Sequence, residues 1–259
     1  MIVPTSFFGW IAFLIEEYGP LFLKGAGRTM LIAIVGTVMG FVIGLLVAIV
    51  RTIQLTPSAG RVKRGLLASA KFLLSAYIEI FRGTPMIVQA MVVYYGAMQY
   101  MGLDIPALTA AFLVVSVNTG AYMAEIVRGG ILSVDQGQKE AATAVGMSHW
   151  QSMTTVVLPQ AVYNILPSVG NEFVVNIKDS SVLNVISVTE LYFMSKSAAG
   201  TYYRYFEVFF ITAAIYFVLT FTTTRLLRLV ERKMSGSSNY TVYGSQSNAA
   251  AEIKVGKKT

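Results

Sequence analysis

Residues 29–50 read TMLIAIVGTVMGFVIGLLVAIV, an apolar run of 22 residues without a charged side chain. About 20 apolar residues in a helix span the hydrocarbon core of a bilayer. Arg28 precedes this run and Arg51 follows it, so charged residues bound it on both sides. This stretch therefore predicts a membrane-spanning helix.

The composition of the whole chain favours the same class of protein. Of its 259 residues, 55% are apolar and 13% are charged, and the mean hydropathy is +0.62. Soluble proteins carry about 25% charged residues, so this composition excludes a disordered chain and argues against a soluble enzyme. The chain has no cysteine and one histidine. It therefore has no disulfide framework and no thiolate ligands, and we expect no metal site.

The basic residues are distributed as in a membrane protein. The formal charge is +7, and Lys and Arg lie between apolar runs rather than along one face. This pattern suits an anionic membrane surface, so we expect a lipid membrane as a partner and no nucleic acid. Basic residues mark cytoplasmic loops. They cluster after Arg51, near Arg128 and from Arg225 to Lys233, which predicts that these three regions lie inside.

These signals predict an all-α integral membrane protein with five transmembrane helices, its N-terminus outside and its C-terminus inside. The predicted spans are residues 29–50, 86–101, 107–127, 159–178 and 207–227. The transmembrane domain then covers residues 28–233, between an outer-face interfacial segment (1–27) and a flexible cytoplasmic tail (234–259). We expect residues 65–82 to form a helix at the inner interface that Pro85 ends, because proline removes a donor and disfavours helix in the preceding residue.

Small residues mark one face of the first predicted span. Gly36, Gly40 and Gly44 recur every four residues, so they share a helix face and allow a neighbouring helix to approach closely. The pattern does not say which helix packs there. It is compatible with general packing and with a specific dimer face.

The cytoplasmic loop 131–158 contains local signals for two short helices joined at a glycine. Residues 139–145 favour a helix, and Gly146 stands where a left-handed residue would end it. Ser148 and Gln151 form a capping-box pair that starts the next helix. Two interpretations remain open for this loop. It is either a connector or a helix that docks in the groove of a partner protein.

Several polar residues fall inside predicted spans, where a central charge costs about 2.5 to 3.5 kcal/mol on insertion scales. The set comprises Gln89, Asn118, Asn171, Glu172 and Asn176. One interpretation is a substrate path, with Glu172 accepting the ammonium of an amino acid and amides donating to its carboxylate. The alternative is that these groups bond to one another or cap helix ends. Glu125 and Arg128 are three residues apart, which suits an ion pair more than a ligand site.

The spacing in the cytoplasmic loop resembles the EAA loop of ABC importer permeases. Glu140, Ala141 and Ala142 are followed after three residues by Gly146 and after eleven more by Leu158 and Pro159. Further motifs are similar to the polar amino acid branch, which includes histidine and glutamine permeases. They are Arg82-Gly83-Thr84-Pro85, the segment from Ala121 to Gly130 with Glu125 and Arg128, Asn171-Glu172 and Lys178-Asp179. The resemblance covers the chain from about residue 24 to residue 233.

The resemblance implies a type I importer fold with a cytoplasmic coupling helix that sits in a cleft of an ATP-hydrolysing subunit. The residues it assigns to ATPase coupling are Glu140, Ala141, Ala142, Gly146, Leu158 and Pro159. It also implies a dimer of ABC ATPase subunits, a second permease subunit that is identical or homologous, and an extracytoplasmic amino-acid-binding protein. The complex would reside in the cytoplasmic (inner) membrane, with this chain as its multi-pass component.

We expect no enzyme activity and no cofactor in this chain, with ATP and magnesium on the partner ATPase. A P-loop that binds ATP needs a glycine-rich stretch ending in GK[ST] ahead of a helix, and the near match at residues 256–259 lacks the upstream glycine. One rival function is an ion-coupled secondary amino acid carrier without an ATPase partner, which the docking loop and the shortage of membrane carboxylates argue against. An intramembrane enzyme is a weaker rival because no HExxH pattern is present.

Overall fold

The computed structural model describes residues 4–53 and 60–234, and these residues form helices without any strand. The predicted tail lies outside the described residues except for its first residue, Met234, which ends the last helix. The α-helices are α1 (Phe7–Thr52), α2 (Arg61–Gly83), α3 (Met86–Met101), α4 (Ala107–Ser133), α5 (Gln136–Ala144), α6 (His149–Ser152), α7 (Leu158–Asp179), α8 (Leu191–Tyr202) and α9 (Tyr205–Met234). A π-helical segment, Met153–Val157, precedes α7, and a 3₁₀ helix, Ser180–Ile186, follows it.

The first helix is longer than the sequence predicts. No break in the helix divides segment 1–27 from span 29–50, because α1 runs unbroken for 46 residues with Pro20 inside it. A helix of that length measures about 69 Å. Its first half is held by side-chain packing, since Trp10, Leu14 and Phe22 are buried in one cluster with residues of α8 and α9. Packing against α8 and α9 therefore stabilises helical backbone on both sides of Pro20. The local sequence does not contain this information.

Among the described residues, three helices are long and apolar enough to cross a membrane, and they contain three of the five predicted spans. These helices are α1, α4 and α9. The other two predicted spans, 86–101 and 159–178, coincide with α3 and α7. Helix α3 has 16 residues, about 24 Å, against a hydrocarbon thickness of about 30 Å. Helix α7 has sufficient length but carries three residues of the polar set noted above, Asn171, Glu172 and Asn176.

Helices α2 and α3 pack one after the other along α4. Ile78 of α2 is buried with Ala124, and the Tyr77 hydroxyl donates to the carbonyl oxygen of Val117 (2.6 Å). Ala90 of α3 is buried in a cluster with Ala110 and other residues of α4. The break at Pro85 is present as predicted, but the end of α2 lies against the middle of α4. Residues 65–82 are helical as predicted, and their position at the inner interface stays a prediction.

The glycine face of α1 packs against α4. A Cβ atom placed at Gly40 would lie 2.7 Å from the Cβ of Thr119, and one at Gly44 would lie 2.4 Å from the Cβ of Met123. Both distances are shorter than a van der Waals contact, so only glycine permits this separation of the two helices. The close packing predicted from the small-residue repeat is confirmed, and its partner is a helix of the same chain.

Candidate coupling segment and polar path

Helix α5 is closed at both ends by hydrogen bonds from its own sequence. At its start, the Asp135 carboxylate accepts from the backbone N–H of Gly137 (2.6 Å). At its end, the Met147 N–H donates to the Ala142 carbonyl oxygen and the Gly146 N–H to that of Thr143, both at 3.0 Å. This pair of bonds is a Schellman motif, which needs a left-handed residue. Gly146 has φ +84°, as the sequence predicts.

The following helix begins with the predicted capping box. The Ser148 N–H donates to Gln151 Oε1 (2.9 Å), and the Gln151 N–H donates to Ser148 Oγ (3.3 Å). Helix α6 passes through the π-helical segment into α7 without leaving helical backbone. The chain from α6 to Asp179 is therefore one continuous rod that starts three residues after Gly146.

The surface that α5 and α6 expose combines one carboxylate with apolar side chains. Glu140 and Ala141 are exposed, and the Glu140 carboxylate accepts from Gln136 Nε2 (3.1 Å). Val145 is 75% exposed and Trp150 is 65% exposed. Both apolar side chains lie outside the predicted spans. Trp150 was not predicted as a site residue, although its position two residues after the capping serine is a usable signal.

Residues 135–158, which we call the candidate coupling segment, are anchored to the core by a cluster shared with α1, α4 and α7. Ala48, Ile131, Met153, Ala161 and Ile165 are buried together there. Leu158 packs against this cluster, while Pro159 is exposed at the start of α7. Ala142 is only 5% exposed, so it packs against its own chain and presents no surface to a partner.

Two of the predicted path residues close the break between α2 and α3. Gln89 Nε2 lies 3.0 Å from the carbonyl oxygens of both Phe81 and Thr84 and 2.9 Å from Thr84 Oγ1. Asn118 Nδ2 donates to Gln89 Oε1 (2.9 Å) and to the Phe81 carbonyl oxygen (3.2 Å). In a bilayer, the carbonyl groups freed by a broken helix need protein donors. Gln89 and Asn118 supply these donors. This matches the second interpretation given above, in which the polar residues bond to one another and to helix ends.

The residues of the Arg82-Gly83-Thr84-Pro85 motif form the turn of this break. Gly83 ends α2, and Pro85 stands immediately before α3 with φ −65°. Thr84 Oγ1 donates to the Ile80 carbonyl oxygen (2.8 Å). The Arg82 guanidinium lies 5.3 Å from the centroid of the Tyr122 ring. The motif thus fixes a turn and fastens it to α4.

Asn176 joins three helices in the buried interior. Its Nδ2 donates to Thr37 Oγ1 of α1 (2.9 Å), and its Oδ1 accepts from Thr119 Oγ1 of α4 (3.0 Å). Thr119 follows Asn118 directly in α4. Asn118 bonds to Gln89 on one side, and Thr119 bonds to Asn176 on another. Asn176 is therefore a structural link between α1, α4 and α7.

Glu172 and Asn171 lie on α7, one turn before Asn176. Glu172 is 5% exposed, whereas Asn171 is exposed. Residues four apart share a helix face, so Glu172 points in the same direction as Asn176. Of the five predicted path residues, the structure brings Gln89 and Asn118 into contact, and it places Glu172 on the face that Asn176 uses.

The predicted pair of Glu125 and Arg128 is part of a larger network. Arg128 Nη2 and Nε donate to Glu125 Oε2 at 2.8 and 3.0 Å. Arg51, at the end of α1, donates to the other carboxylate oxygen of Glu125. Arg51 was not predicted as a partner of Glu125, although the two residues lie at the ends of predicted spans on the same side. The network ties the end of α1 to the end of α4.

The chain belongs to a known family of membrane transport proteins. Residues 58–236 match the family described as "Binding-protein-dependent transport system inner membrane component". This match includes every helix from α2 to α9. The relatives of this chain are permease subunits of amino acid ABC transporters. The class of protein is therefore an ABC importer permease, as the EAA-like spacing predicts.

Curated relatives match nearly their whole length. The glutamine transport system permease GlnP of Escherichia coli is 37% identical over 216 residues, 83% of this chain and 93% of GlnP. The arginine transport system permease ArtQ of Bacillus subtilis is 33% identical over 84% of this chain and 94% of ArtQ. The nopaline transport system permease NocM of Agrobacterium fabrum is 34% identical over 92% of this chain and 97% of NocM.

Solved structures agree with the fold. A crystal structure of an amino acid ABC transporter with histidines matches with a TM-score of 0.76 and 38% identity, over 89% of this chain and all of that chain. The MetNI methionine ABC transporter matches with a TM-score of 0.71 at 21% identity, over 85% of this chain and 99% of that chain. The second match bears on the fold alone.

Proposed function

We propose that this chain is the permease subunit of an ATP-driven importer that carries a polar amino acid across the inner membrane. It has five spans, with the N-terminus outside and the C-terminus inside. A second permease subunit completes the path, an extracytoplasmic binding protein delivers the substrate, and a dimer of ABC ATPase subunits docks on the inner face. ATP and magnesium bind the ATPase, and no covalent step takes place in this chain.

The observation that carries this proposal is the construction of the coupling segment. Helix α5 has both ends fixed by hydrogen bonds, and its exposed face presents Glu140, Ala141 and Val145. The buried cluster next to it contains Val134, which directly precedes the Asp135 cap of α5, together with residues of α1, α4 and α7. A force applied to α5 by a partner is therefore passed to the helices that carry the buried polar residues. A flexible connector needs neither the caps nor this anchorage.

This anchorage supports a rigid-body mechanism. When the ATPase subunits close on ATP, α5 moves with them, and the continuous rod from α6 to α7 moves with α5. The path then changes from facing inward to facing outward, as a shift between two packings of the same helices. Glu140, Ala141 and Gly146 form or position the docking surface. Ala142, Leu158 and Pro159 support it from the inner side and from the start of α7.

The substrate class rests on the buried carboxylate of α7 and on the relatives. An amino acid zwitterion needs an acceptor for its ammonium group, and Glu172 supplies one on the inward face of α7. Its low exposure means that substrate reaches it only after the helices around α7 separate. The relatives transport glutamine, arginine and nopaline, which agrees with a polar amino acid. A carboxylate in the path favours a cationic one.

The coupling proposal is tested by a glycine pair. Gly146→Ala places a side chain at φ +84°, whereas Gly129→Ala adds one where nothing lies within 4 Å. A left-handed alanine costs about 1 to 2 kcal/mol, which shifts the end of α5. In the reconstituted complex, we expect Gly146→Ala to reduce amino acid uptake and substrate-stimulated ATP hydrolysis by roughly fivefold or more. Gly129→Ala retains both activities.

The same preparation separates coupling from folding. Gly146→Ala should insert in the membrane in normal amounts, because the residue is exposed and outside the core. Basal hydrolysis by the ATPase subunits stays unchanged, since the nucleotide sites are on that subunit. Equal uptake by Gly146→Ala, Gly129→Ala and the unmodified chain would contradict a role for α5 in coupling.

A further inference from the structure

A cavity of about 560 Å³ lies behind the coupling segment. Its lining comes from the ends of α1 and α4, from α2, from α5 and from the π-helical segment. This volume is within the range of about 300 to 1,000 Å³ that small-molecule sites occupy. The cavity is separate from Glu172 and from the exposed docking face of α5.

The cavity has a strong excess of positive charge. Four of its lining residues are basic, namely Arg51, Lys71, Arg128 and Lys139. The carboxylate that contacts this group is Glu125, which binds Arg51 and Arg128 together. Two other acidic residues nearby are engaged outside the cavity, since Asp135 caps α5 and Glu140 pairs with Gln136. Residues 54–59, outside the described part, contain no charged residue.

The basic groups retain donors for a ligand. Lys71 Nζ donates to the Ile53 carbonyl oxygen (2.7 Å), which uses one of its three protons. Within the described residues, the Arg51 guanidinium donates to Glu125, which uses part of its five N–H groups. Like charges gathered in a partly buried space repel one another unless an anion offsets them. The arrangement therefore favours a compact ligand that carries more than one acceptor oxygen.

We infer that this cavity binds a phosphate-bearing anion. Guanidinium groups match the geometry of phosphate oxygens, and basic pockets between helices at the cytoplasmic side bind lipid headgroups. Apolar residues complete the lining, among them Ile131, Met147 and Val157, which suits the glycerol end of a phospholipid. The phosphate belongs either to an anionic headgroup or to a soluble phosphate. In both cases it links Lys71 of α2 to Lys139 of α5 and fastens the coupling helix to the core.

The test uses the assembled transporter with three variants of α2. Lys71→Gln removes one cavity charge, Lys71→Arg retains it, and Lys63→Gln removes a charge from an exposed position on the same helix. In the first arm, native mass spectrometry counts the phosphatidylglycerol molecules retained after extraction from vesicles that contain it. In the second arm, delipidated transporter is unfolded by heat in inorganic phosphate and in chloride at equal ionic strength.

We expect only Lys71→Gln to weaken binding of the anion. The unmodified transporter, Lys71→Arg and Lys63→Gln bind the anion, and Lys71→Gln binds it roughly tenfold more weakly. Retained phosphatidylglycerol without a phosphate-dependent shift in thermal unfolding assigns the phosphate to a lipid headgroup. A phosphate-dependent shift without retained lipid assigns it to a soluble anion. No retained lipid and no phosphate-dependent shift, or equal binding by Lys71→Gln and Lys63→Gln, would overturn the inference. Neither arm requires transport, so the result is independent of the proposed function.

Discussion

The polar residues inside the bundle are of two chemical kinds, amides and one carboxylate. Gln89 and Asn118 bond to each other and to the carbonyl groups at the break after α2, and Asn176 links Thr37 to Thr119. These contacts satisfy buried polar groups that otherwise cost free energy. Their participation in a substrate path stays a prediction. Glu172 is different because it is a carboxylate on the buried face of α7, and it is the residue on which the substrate proposal depends.

Replacing Glu172 with Gln tests its role at the residue scale. The change removes the charge and retains the size, and a hydrogen bond to a charged group contributes about 1.5 to 3 kcal/mol. We expect the KM for uptake of a cationic amino acid to rise by roughly tenfold to hundredfold. The measurement is competition between arginine, lysine, histidine and glutamine for uptake by the reconstituted transporter.

A carboxylate elsewhere on the chain provides the control for this experiment. Glu16→Gln makes the same chemical change at an exposed position of α1 and should leave uptake unchanged. Unaltered selectivity and KM in Glu172→Gln would show that this carboxylate does not recognise the substrate charge.

Only part of the residue-level detail is encoded locally. The pair of Glu125 and Arg128 follows from their spacing of three residues and is confirmed. Arg51 joins them from a position 74 residues away from Glu125, and no local rule connects such positions. The sequence also left two roles open for Gln89 and Asn118. Their contact depends on α3 lying beside α4, which is a property of the tertiary structure.

At the scale of helices, α1 and α4 form the central pair. Their contact follows the line of Gly36, Gly40 and Gly44, where added Cβ atoms would meet Val115, Thr119 and Met123. Small residues at such a contact let backbones approach and gain van der Waals packing without a hydrophobic driving force. The glycines therefore set the separation of α1 and α4, and the remaining helices pack around this pair.

Gly44→Ala tests this central contact. Its Cβ would lie 2.4 Å from the Cβ of Met123 and 2.7 Å from the Ala124 nitrogen, so α1 and α4 must separate. Overpacking of this kind costs about 1 to 3 kcal/mol. We expect a lower thermal unfolding midpoint and less folded protein after extraction in detergent, as measured by fluorescence-detected size-exclusion chromatography.

Gly27→Ala is the matched variant, since it lies on the same helix and has nothing within 4 Å of the added atom. It should unfold at the midpoint of the unmodified chain or slightly above it, because alanine favours helix over glycine. A Gly44→Ala protein as stable as Gly27→Ala would refute the proposed close contact.

The sequence predicted helix ends better than helix partners. The break at Pro85, the left-handed end at Gly146 and the Ser148–Gln151 cap each depend on a few adjacent residues, and all three are present. The continuity of α1 through Pro20 was not predicted, because burial of Trp10 and Phe22 against distant helices holds it. The glycine repeat identified a packing face but gave no information about its partner.

At the scale of the whole molecule, the π-helical segment lies between the proposed docking surface on α5 and helix α7, which carries the buried Glu172. Helices α1, α4 and α9 are suited to crossing the membrane, and α2 and α3 follow α4 as two consecutive pieces. The caps of α5 and the cluster around Ile131 and Met153 make the coupling segment part of this body. The central claim is that ATP hydrolysis on a separate subunit drives movement of this body.

The most direct test of that claim is the energy source of transport. Proteoliposomes would contain this chain, its ATPase subunit and its binding protein, and uptake of labelled glutamine or arginine would be measured with ATP or with an imposed proton or sodium gradient. We predict uptake that requires ATP on the ATPase side and is unaffected by either gradient. Uptake driven by a gradient without ATP or the ATPase subunit would contradict it and would identify a secondary carrier.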